Sequence, residues 1–247
     1  MLHLFKLNKL AAIAVLLVLF SSCSKSDDGI ISGNAKLTVT YASTNGQAID
    51  VYVDDAKITP APLSFGTTTG LAGNPYLTVD AGTRNVRISP NGTVNYVQGA
   101  IPFETDGTYS IFVLDTLSAT STLKGLILTD NLTSPAAGKA HIRFLHLSPD
   151  ADTIDVDFAK VGDTTALAGK IYYGRATSFD PALSMFQPIN AGVYHVNILK
   201  AGTESPVLAS LPYTFEAGKI YTVYASGLKS ATAGSPLALN SRVILHN

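Results

Sequence analysis

Carboxylates and a histidine gather in one segment of this 247-residue sequence, beginning at His146. The carboxylates belong to Asp150, Asp152, Asp155 and Asp157. Hard oxygen ligands of this kind can hold Ca²⁺. The pattern favours a structural turn instead, because residues 148–151 read Ser-Pro-Asp-Ala and suit a type I turn with proline in second position. We expect His146 on a buried strand face and Asp155 and Asp157 pointing outward, so that the carboxylates diverge and hold neither metal nor cofactor.

Catalytic motifs are missing from the sequence. His141 and His146 fall on opposite faces of one predicted strand, and His195 belongs to a different strand. No His-Glu-x-x-His, Cys-x-x-Cys or Gly-x-Ser-x-Gly motif occurs, so neither zinc-assisted nor serine-based hydrolysis has a recognisable set of residues. We therefore predict that the protein is not an enzyme. A hydrolase assembled from distant loops is the least favoured hypothesis.

Aromatic side chains offer another route to ligand binding, since their amphipathic rings can serve as platforms for sugars. The sequence has no Trp, which leaves Tyr52, Tyr76, Tyr172 and Tyr173. Tyr52 is the best placed, because it alternates with the apolar Val51 and Val53 and should face outward. A cross-strand neighbour on the solvent face would explain it equally well. The candidate ligand-binding residues are therefore Tyr52, His146 and Asp150.

The elements that position these residues are short strands. Apolar residues alternate with polar ones in segments such as 35–41 and 49–54, which is typical of half-buried strands. Turn-forming Gly, Pro, Asn and Asp separate about seven such strands in each half of the chain. No window carries a helical apolar stripe. The pattern predicts an all-β protein built from antiparallel, immunoglobulin-like β-sandwiches.

The sequence contains an internal repeat of two copies. Residues 35–41 are echoed by residues 140–146, and residues 81–86 are echoed by residues 191–196. The turn-rich stretch 133–138 lies between the copies. We therefore predict two tandem β-sandwich domains, at 35–132 and 139–247.

The first residues have the features of a cleaved lipoprotein signal. Lys6 and Lys9 precede an apolar run, Leu10–Phe20, that is too short to span a bilayer. Cys23 follows, and as the only cysteine it cannot close an internal disulfide. We predict a signal peptide at 1–22, lipidation of Cys23, and a short flexible tether at 23–34.

The net charge and the export signal limit the classes of partner that we expect. The formal net charge is −1, and no stretch forms a Lys/Arg stripe, so we expect neither nucleic acid nor nucleotide as a partner. The acidic residues after Cys23 are similar to the export tag of bacteroidete surface lipoproteins. We therefore expect an outer-membrane lipoprotein exposed on the surface of a Gram-negative bacterium, the alternative being a periplasm-facing one. The lipid would be its contact with the membrane.

The second copy resembles a known bacterial family. The motif His-Leu-Ser-Pro-Asp-Ala-Asp at 146–152, Ile-Asp-Val-Asp at 154–157, Ala-Gly-x-Tyr-x-Val at 191–196 and Glu-Ala-Gly-Lys at 216–219 carry the resemblance. They are similar to the family named domain of unknown function 4397, over nearly all of residues 35–247. The first copy departs from it, with Tyr41 in place of His146. The resemblance implies secreted or lipid-anchored β-sandwich repeats and no agreed activity.

The predicted location and the predicted fold together favour an accessory protein for binding or adhesion at the cell surface. Its partners would be envelope glycans or surface proteins. The alternative is a fimbrial-type structural subunit that assembles by strand donation, with the C-terminal segment 242–246 as the exchanged strand.

Overall fold

A computed structural model describes residues 32–162, 171–173, 180–209 and 212–247, with the backbone alone at 171–173 and 209. The predicted signal peptide, Cys23 and nearly all of the predicted tether lie outside these residues. Within the described ranges, no helix is long and apolar enough to cross a membrane.

The described residues form strands and one short 3₁₀ helix, Pro181–Ser184. The strands of the first copy are β1 (Asn34–Tyr41), β2 (Asp50–Val53), β3 (Ala56–Lys57), β4 (Leu77–Asp80), β5 (Gly82–Ser89), β6 (Val97–Phe103), β7 (Thr108–Leu114) and β8 (Lys124–Thr129). Those of the second copy are β9 (Lys139–His146), β10 (Ile154–Lys160), β11 (Ile171–Tyr173), β12 (Gln187–Asn190), β13 (Gly192–Lys200), β14 (Pro206–Ala209), β15 (Tyr213–Phe215), β16 (Ile220–Ser226) and β17 (Asn240–Leu245).

Each copy folds into two sheets that face each other across an apolar core. In the first copy, here called sandwich 1, the sheets have the strand orders β4-β1-β7-β8 and β3-β2-β5-β6. In sandwich 2 the orders are β12-β9-β16-β17 and β11-β10-β13-β14, with β15 also paired to β13. Each core takes residues from both of its sheets. The prediction of an all-β protein with tandem immunoglobulin-like sandwiches is confirmed.

Strand direction differs from the expected antiparallel pattern at one place in each copy. β1 pairs with β7 in parallel, and β9 pairs with β16 in parallel, while the other ladders between named strands are antiparallel. The reason is that the chain changes sheets between β6 and β7, so β7 enters beside β1 in the same direction. Alternation of apolar residues sets the face of each side chain but carries no information about direction.

Several strands are buried on both faces, although the sequence predicted half-buried strands. Thr38, Thr40, Ser110 and Thr222 each have no exposed surface. The cause is a third apolar cluster, formed where the outer face of β4-β1-β7-β8 packs against the outer face of β12-β9-β16-β17. The two sandwiches therefore share one buried interface. Its apolar members are Ala42, Phe112, Leu114, Leu126, Leu128, Leu145, Leu147, Tyr224 and Ile244.

The interface joins equivalent positions of the two copies. Leu37 pairs with Tyr109 in sandwich 1 as Ile142 pairs with Tyr221 in sandwich 2, so each residue of β7 has its counterpart in β16. Phe112 and Tyr224 are counterparts, and their rings meet edge to face with centroids 6.2 Å apart. Contact between a residue and its own counterpart is a property of an isologous, two-fold interface. The repeat thus packs as a dimer within one chain.

A buried ion pair lies in this interface. Arg143 Nη1 and Asp130 Oδ1 are 2.7 Å apart, with side-chain exposures of 2% and 0%. Arg143 also donates from Nε to Thr222 Oγ1 at 2.8 Å and from Nη2 to Ser110 Oγ at 3.1 Å. Ser110 and Tyr76 donate their hydroxyl protons to Asp130 Oδ2. These bonds compensate part of the desolvation cost of the two charges.

His246 completes the network. Its Nε2 lies 2.7 Å from Thr222 Oγ1, and its Nδ1 lies 2.6 Å from the Tyr76 hydroxyl. Because Tyr76 donates to Asp130, these contacts are all satisfied when neutral His246 carries its proton on Nδ1. Burial lowers the pKa of His246 to about 4, with Asp130 raising it and Arg143 lowering it further. Burial, and then Asp130, raise the pKa of Tyr76.

Replacement of Asp130 by alanine is expected to destabilise the protein strongly, because it leaves Arg143 buried without its partner. We expect a loss of about 3–5 kcal/mol in the free energy of unfolding, measured by denaturant titration. The matched control is Lys124→Ala, which removes the more exposed ion pair with Asp115 and should cost no more than about 1 kcal/mol. Equal effects of the two variants would contradict the role given to the buried pair.

Stability should fall as the pH drops from about 6.5 to about 4. In this window the unfolded chain protonates His246 while the folded chain, whose His246 has a pKa of about 4, does not. The loss attributable to this group reaches roughly 3 kcal/mol below pH 4. Unfolding titrations at pH 7.5, 5.5 and 4, in wild type and in His246→Gln, measure it. A His246→Gln protein with the same pH dependence as the wild type would refute the assignment.

Candidate functional site

Tyr52 lies in a row of polar side chains that crosses the sheet β3-β2-β5-β6. The strand register places Lys57, Tyr52, Arg87 and Gln98 side by side on the four strands. Val51 and Val53 point into the core, so Tyr52 points out and is partly exposed. The other sheet of sandwich 1 carries the interface, which leaves this outer face to the solvent. We call the surface formed by Tyr52, Asn85, Arg87, Asn95 and Gln98 the Tyr52 face.

Hydrogen bonds connect the planar groups of the Tyr52 face. The Arg87 guanidinium stacks over the Tyr52 ring, 4.2 Å from its centroid, and donates to Asn95 Oδ1 at 3.3 Å. Asn95 Nδ2 donates to Gln98 Oε1 at 2.8 Å, and Gln98 Nε2 donates to Asn85 Oδ1 at 3.4 Å. The outward position and the cross-strand neighbour of Tyr52 are both as the sequence indicated. The amide and guanidinium groups beside Tyr52 were not predicted to belong to a site. Asn85 and Arg87 nevertheless have the period-two spacing of one strand face.

Charge on the Tyr52 face is balanced by neighbouring carboxylates. Lys57 Nζ, beside Tyr52 in the row, lies 2.9 Å from Asp50 Oδ2, and Arg87 Nη2 lies 3.4 Å from Asp55 Oδ1. The surface therefore presents neutral pairs, amide donors and acceptors, and one aromatic ring. Such groups suit a neutral ligand rich in hydroxyls rather than an anion.

The equivalent surface of sandwich 2 has different chemistry. The register places Asp157 and Asn197 where sandwich 1 has Tyr52 and Arg87. Asn197 Nδ2 donates to Asp157 Oδ2 at 3.3 Å, and no ring stands at this position. The two copies share their architecture but not this row of side chains.

Asp150 fastens two loops of sandwich 2 together. Its carboxylate accepts hydrogen bonds from the backbone N–H groups of Lys229 at 2.7 Å and Ser230 at 2.9 Å, and from Ser230 Oγ at 2.6 Å. Burial raises the pKa of Asp150, but the bonds from Ser230, Lys229 and Ser148 outweigh burial and hold that pKa below its usual value. The lone pairs of Asp150 are thereby largely used within the chain.

The other aspartates of the Ca²⁺ candidate bond to separate groups. Asp152 is exposed and pairs with Lys229 Nζ at 3.2 Å, while Asp157 bonds to Asn197. Asp155 is fully buried, and its Oδ2 accepts from Gly202 N at 2.9 Å. Asp155 lies on the strand face away from the core, as expected, but the turn after β13 folds over it and buries it. Within the described ranges, no three Asp, Glu, His or Cys side chains are grouped to hold a metal ion.

His146 and the remaining tyrosines are placed differently from Tyr52. His146 is 1% exposed, and its Nε2 lies 2.9 Å from the Asp152 carbonyl oxygen, so it holds the turn. The Tyr76 hydroxyl belongs to the interface network. The side chains of Tyr172 and Tyr173 lie outside the described residues. Tyr52 is therefore the sequence candidate that the described structure places on a free polar surface.

Residues 35–157 match the family described as "Domain of unknown function (DUF4397)". This part of the chain belongs to that family. The match covers sandwich 1, β9 and the first residues of β10. It is shorter than the sequence resemblance, which extends over nearly all of residues 35–247. The family description assigns no activity to the DUF4397 segment. No curated protein matches the chain.

Solved structures share only distant similarity with the chain. One is a carbohydrate-binding module of family CBM26 from Eubacterium rectale in complex with maltoheptaose, 14% identical, covering 84% of this chain and 95% of that chain, with a TM-score of 0.22. Another is a leucine-rich repeat protein from Bacteroides thetaiotaomicron, 12% identical, covering 78% of this chain and 26% of that chain, with a TM-score of 0.18.

Replacement of Asp150 by alanine is expected to release the loop that holds residues 229–230. The backbone N–H groups of Lys229 and Ser230 would lose their acceptor, at a cost of about 1–3 kcal/mol in the free energy of unfolding. The control is Asp152→Ala, which removes an exposed carboxylate of the same segment and should change stability by less than about 0.5 kcal/mol. Thermal unfolding of both variants decides. An equally small effect at Asp150 would show that the loop is held by other contacts.

Proposed function

We propose that the protein is a non-catalytic, lipid-anchored envelope protein that binds a neutral glycan on its Tyr52 face. The observation that carries this proposal is the row Tyr52, Arg87 and Gln98, adjacent in register on three strands and linked through Asn95. Sugar hydroxyls both donate and accept hydrogen bonds, as the amides and the Tyr52 hydroxyl of this face do.

Rigidity supports recognition by this face. The five side chains stand on a sheet or in the turn that joins β5 to β6, and Arg87 is fixed by bonds to Gly92 O and Asn95 as well as by the Tyr52 ring. A surface that is already ordered loses little conformational entropy on binding. The interface with sandwich 2 covers the opposite sheet, so a ligand on the Tyr52 face would not compete with it.

Strand donation is the less favoured function. The segment 242–246 that the sequence offered as an exchanged strand lies largely in β17, which pairs with β16 of the same chain from Asn240 to Leu245. His246 is buried in the interface network. Release of this strand would expose apolar surface and break the contacts of His246, which favours a closed, monomeric sandwich pair.

Glycan binding is tested with the lipidated protein solubilised in detergent. We expect it to bind neutral oligosaccharides on a glycan microarray that also carries peptidoglycan and lipopolysaccharide. Tyr52→Ala and Gln98→Ala should each weaken binding about tenfold, which corresponds to about 1.4 kcal/mol. Asn197→Ala, at the counterpart of Arg87 in sandwich 2, is the matched control and should leave binding unchanged. Absence of binding to every glycan, or equal losses in all three variants, would refute the proposal.

Lipidation at Cys23 is tested by labelling cells with alkyne palmitate. The wild-type protein is expected to take up the label and to fractionate with the outer membrane, because the Cys23 sulfur is the only thiol that can be acylated. Cys23→Ser should abolish the label entirely. Protease treatment of intact cells then separates surface display from a periplasm-facing protein. Label retained in Cys23→Ser would contradict the predicted anchor.

A further inference from the structure

A cleft of about 320 Å³ opens between the free edges of β6 and β8 in sandwich 1. Its lining is mainly apolar and includes Ile101, Tyr109 and Ile127. Glu104 is the one charged residue among those that line it. The volume lies at the lower limit of small-molecule sites. The cleft is separate from the Tyr52 face, so a ligand in it is independent of the proposed function.

Sandwich 2 has an equivalent position, but different side chains occupy it. Gly82 pairs with Phe103 in sandwich 1, and Gly192 pairs with Phe215 in sandwich 2, so Ile101 and Tyr213 are counterparts. A shared hydrogen bond supports the equivalence. Glu104 N donates to the Tyr109 hydroxyl at 2.9 Å, and Glu216 N donates to the Tyr221 hydroxyl at 3.1 Å.

In sandwich 2 an aromatic ring of the chain itself occupies this position. The Tyr213 ring lies 5.0 Å from Phe215 and 5.8 Å from Tyr221, centroid to centroid. Leu245 stands where sandwich 1 has Thr129. At both positions the side chain of sandwich 1 is the smaller one: Ile101 is smaller than Tyr213, and Thr129 is smaller than Leu245. The cleft is thus the space that a phenolic ring fills in the other copy.

The acidic residue that lines the cleft also has a counterpart in sandwich 2. The Tyr213 ring lies beside Tyr221, whose hydroxyl accepts a hydrogen bond from Glu216 N, so Glu216 borders the space that Tyr213 fills. Burial raises the pKa of Tyr213, and Tyr221 and Glu216 raise it further, which agrees with this placement. Glu104 holds the same position relative to the open cleft. An occupant with a hydrogen-bond donor at its far end and no negative charge is therefore complementary to the site.

We propose that the cleft binds a small phenolic molecule. Its ring would lie at the position that is equivalent to that of the Tyr213 ring in sandwich 2, and its hydroxyl would be directed to Glu104. A peptide strand added to the edge is less suited, because Pro102 on β6 has no N–H to donate and proline blunts an edge strand. The ligand class rests on apolar walls of ring size, one acidic group, and a filled counterpart in the same chain.

Binding is measured by saturation-transfer NMR on the full chain, with p-cresol and tyramine as probes. Both are expected to bind, whereas 4-methylanisole, whose ether oxygen has no proton to donate to Glu104, should bind at least about tenfold more weakly. Ile101→Tyr supplies the ring found in sandwich 2 and should abolish binding of both probes without lowering the melting temperature. Thr129→Leu, which supplies the Leu245 side chain, is a second filling variant and should weaken binding. Ile101→Val is the control and should still bind.

Three results would overturn the proposal. The first is that neither probe binds the wild-type chain. The second is that a folded Ile101→Tyr protein still binds the probes as the wild type does. The third is that the probes fail while a tyrosine-containing peptide binds, which would make the occupant a side chain of a protein partner. Loss of the Tyr52 face by Tyr52→Ala should leave phenol binding unchanged, so failure of one proposal is distinguishable from failure of the other.

Discussion

The buried ion pair between Arg143 and Asp130 is the contact on which the arrangement of the two sandwiches depends. Two charges removed from water are costly unless each keeps its hydrogen bonds, and here Ser110, Thr222 and Tyr76 supply them. Those groups come from both copies. The free energy of the network is therefore available only when the sandwiches are docked. The apolar cluster around Phe112 and Tyr224 supplies attraction, while the polar network specifies one alignment.

The two copies contribute different groups to the network at equivalent positions. Asp130 follows β8 as His246 follows β17, and Ser110 is the counterpart of Thr222. A two-fold interface between identical copies would place like groups at both positions. Here one copy supplies the carboxylate and the other the imidazole, and only β9 contributes a cation. The interface is therefore symmetric in its strand positions and asymmetric in its charges.

The same interface determines which surfaces remain for ligands. It covers one sheet of each sandwich and leaves the outer faces of β3-β2-β5-β6 and β11-β10-β13-β14 outside the interface. The first carries the Tyr52 face and the second carries Asp157 and Asn197 in the equivalent row. At the β6–β8 edge, Ile101 stands where the second copy has Tyr213. Sandwich 1 therefore holds both binding candidates, and its counterpart serves as an internal control for each.

The sequence by itself determined the strands, the repeat and the outward position of Tyr52, because period-two alternation and turn residues act over a few neighbours. It also placed His146 on a buried face. Only the tertiary structure decided the parallel pairing of β1 with β7, the burial of Thr38 and Thr40, and the covering of Asp155. The physical reason is that alternation shows which face of a strand is apolar but not what covers the polar face. That depends on contacts between residues far apart in the chain, such as Arg143 with Asp130 and Thr222.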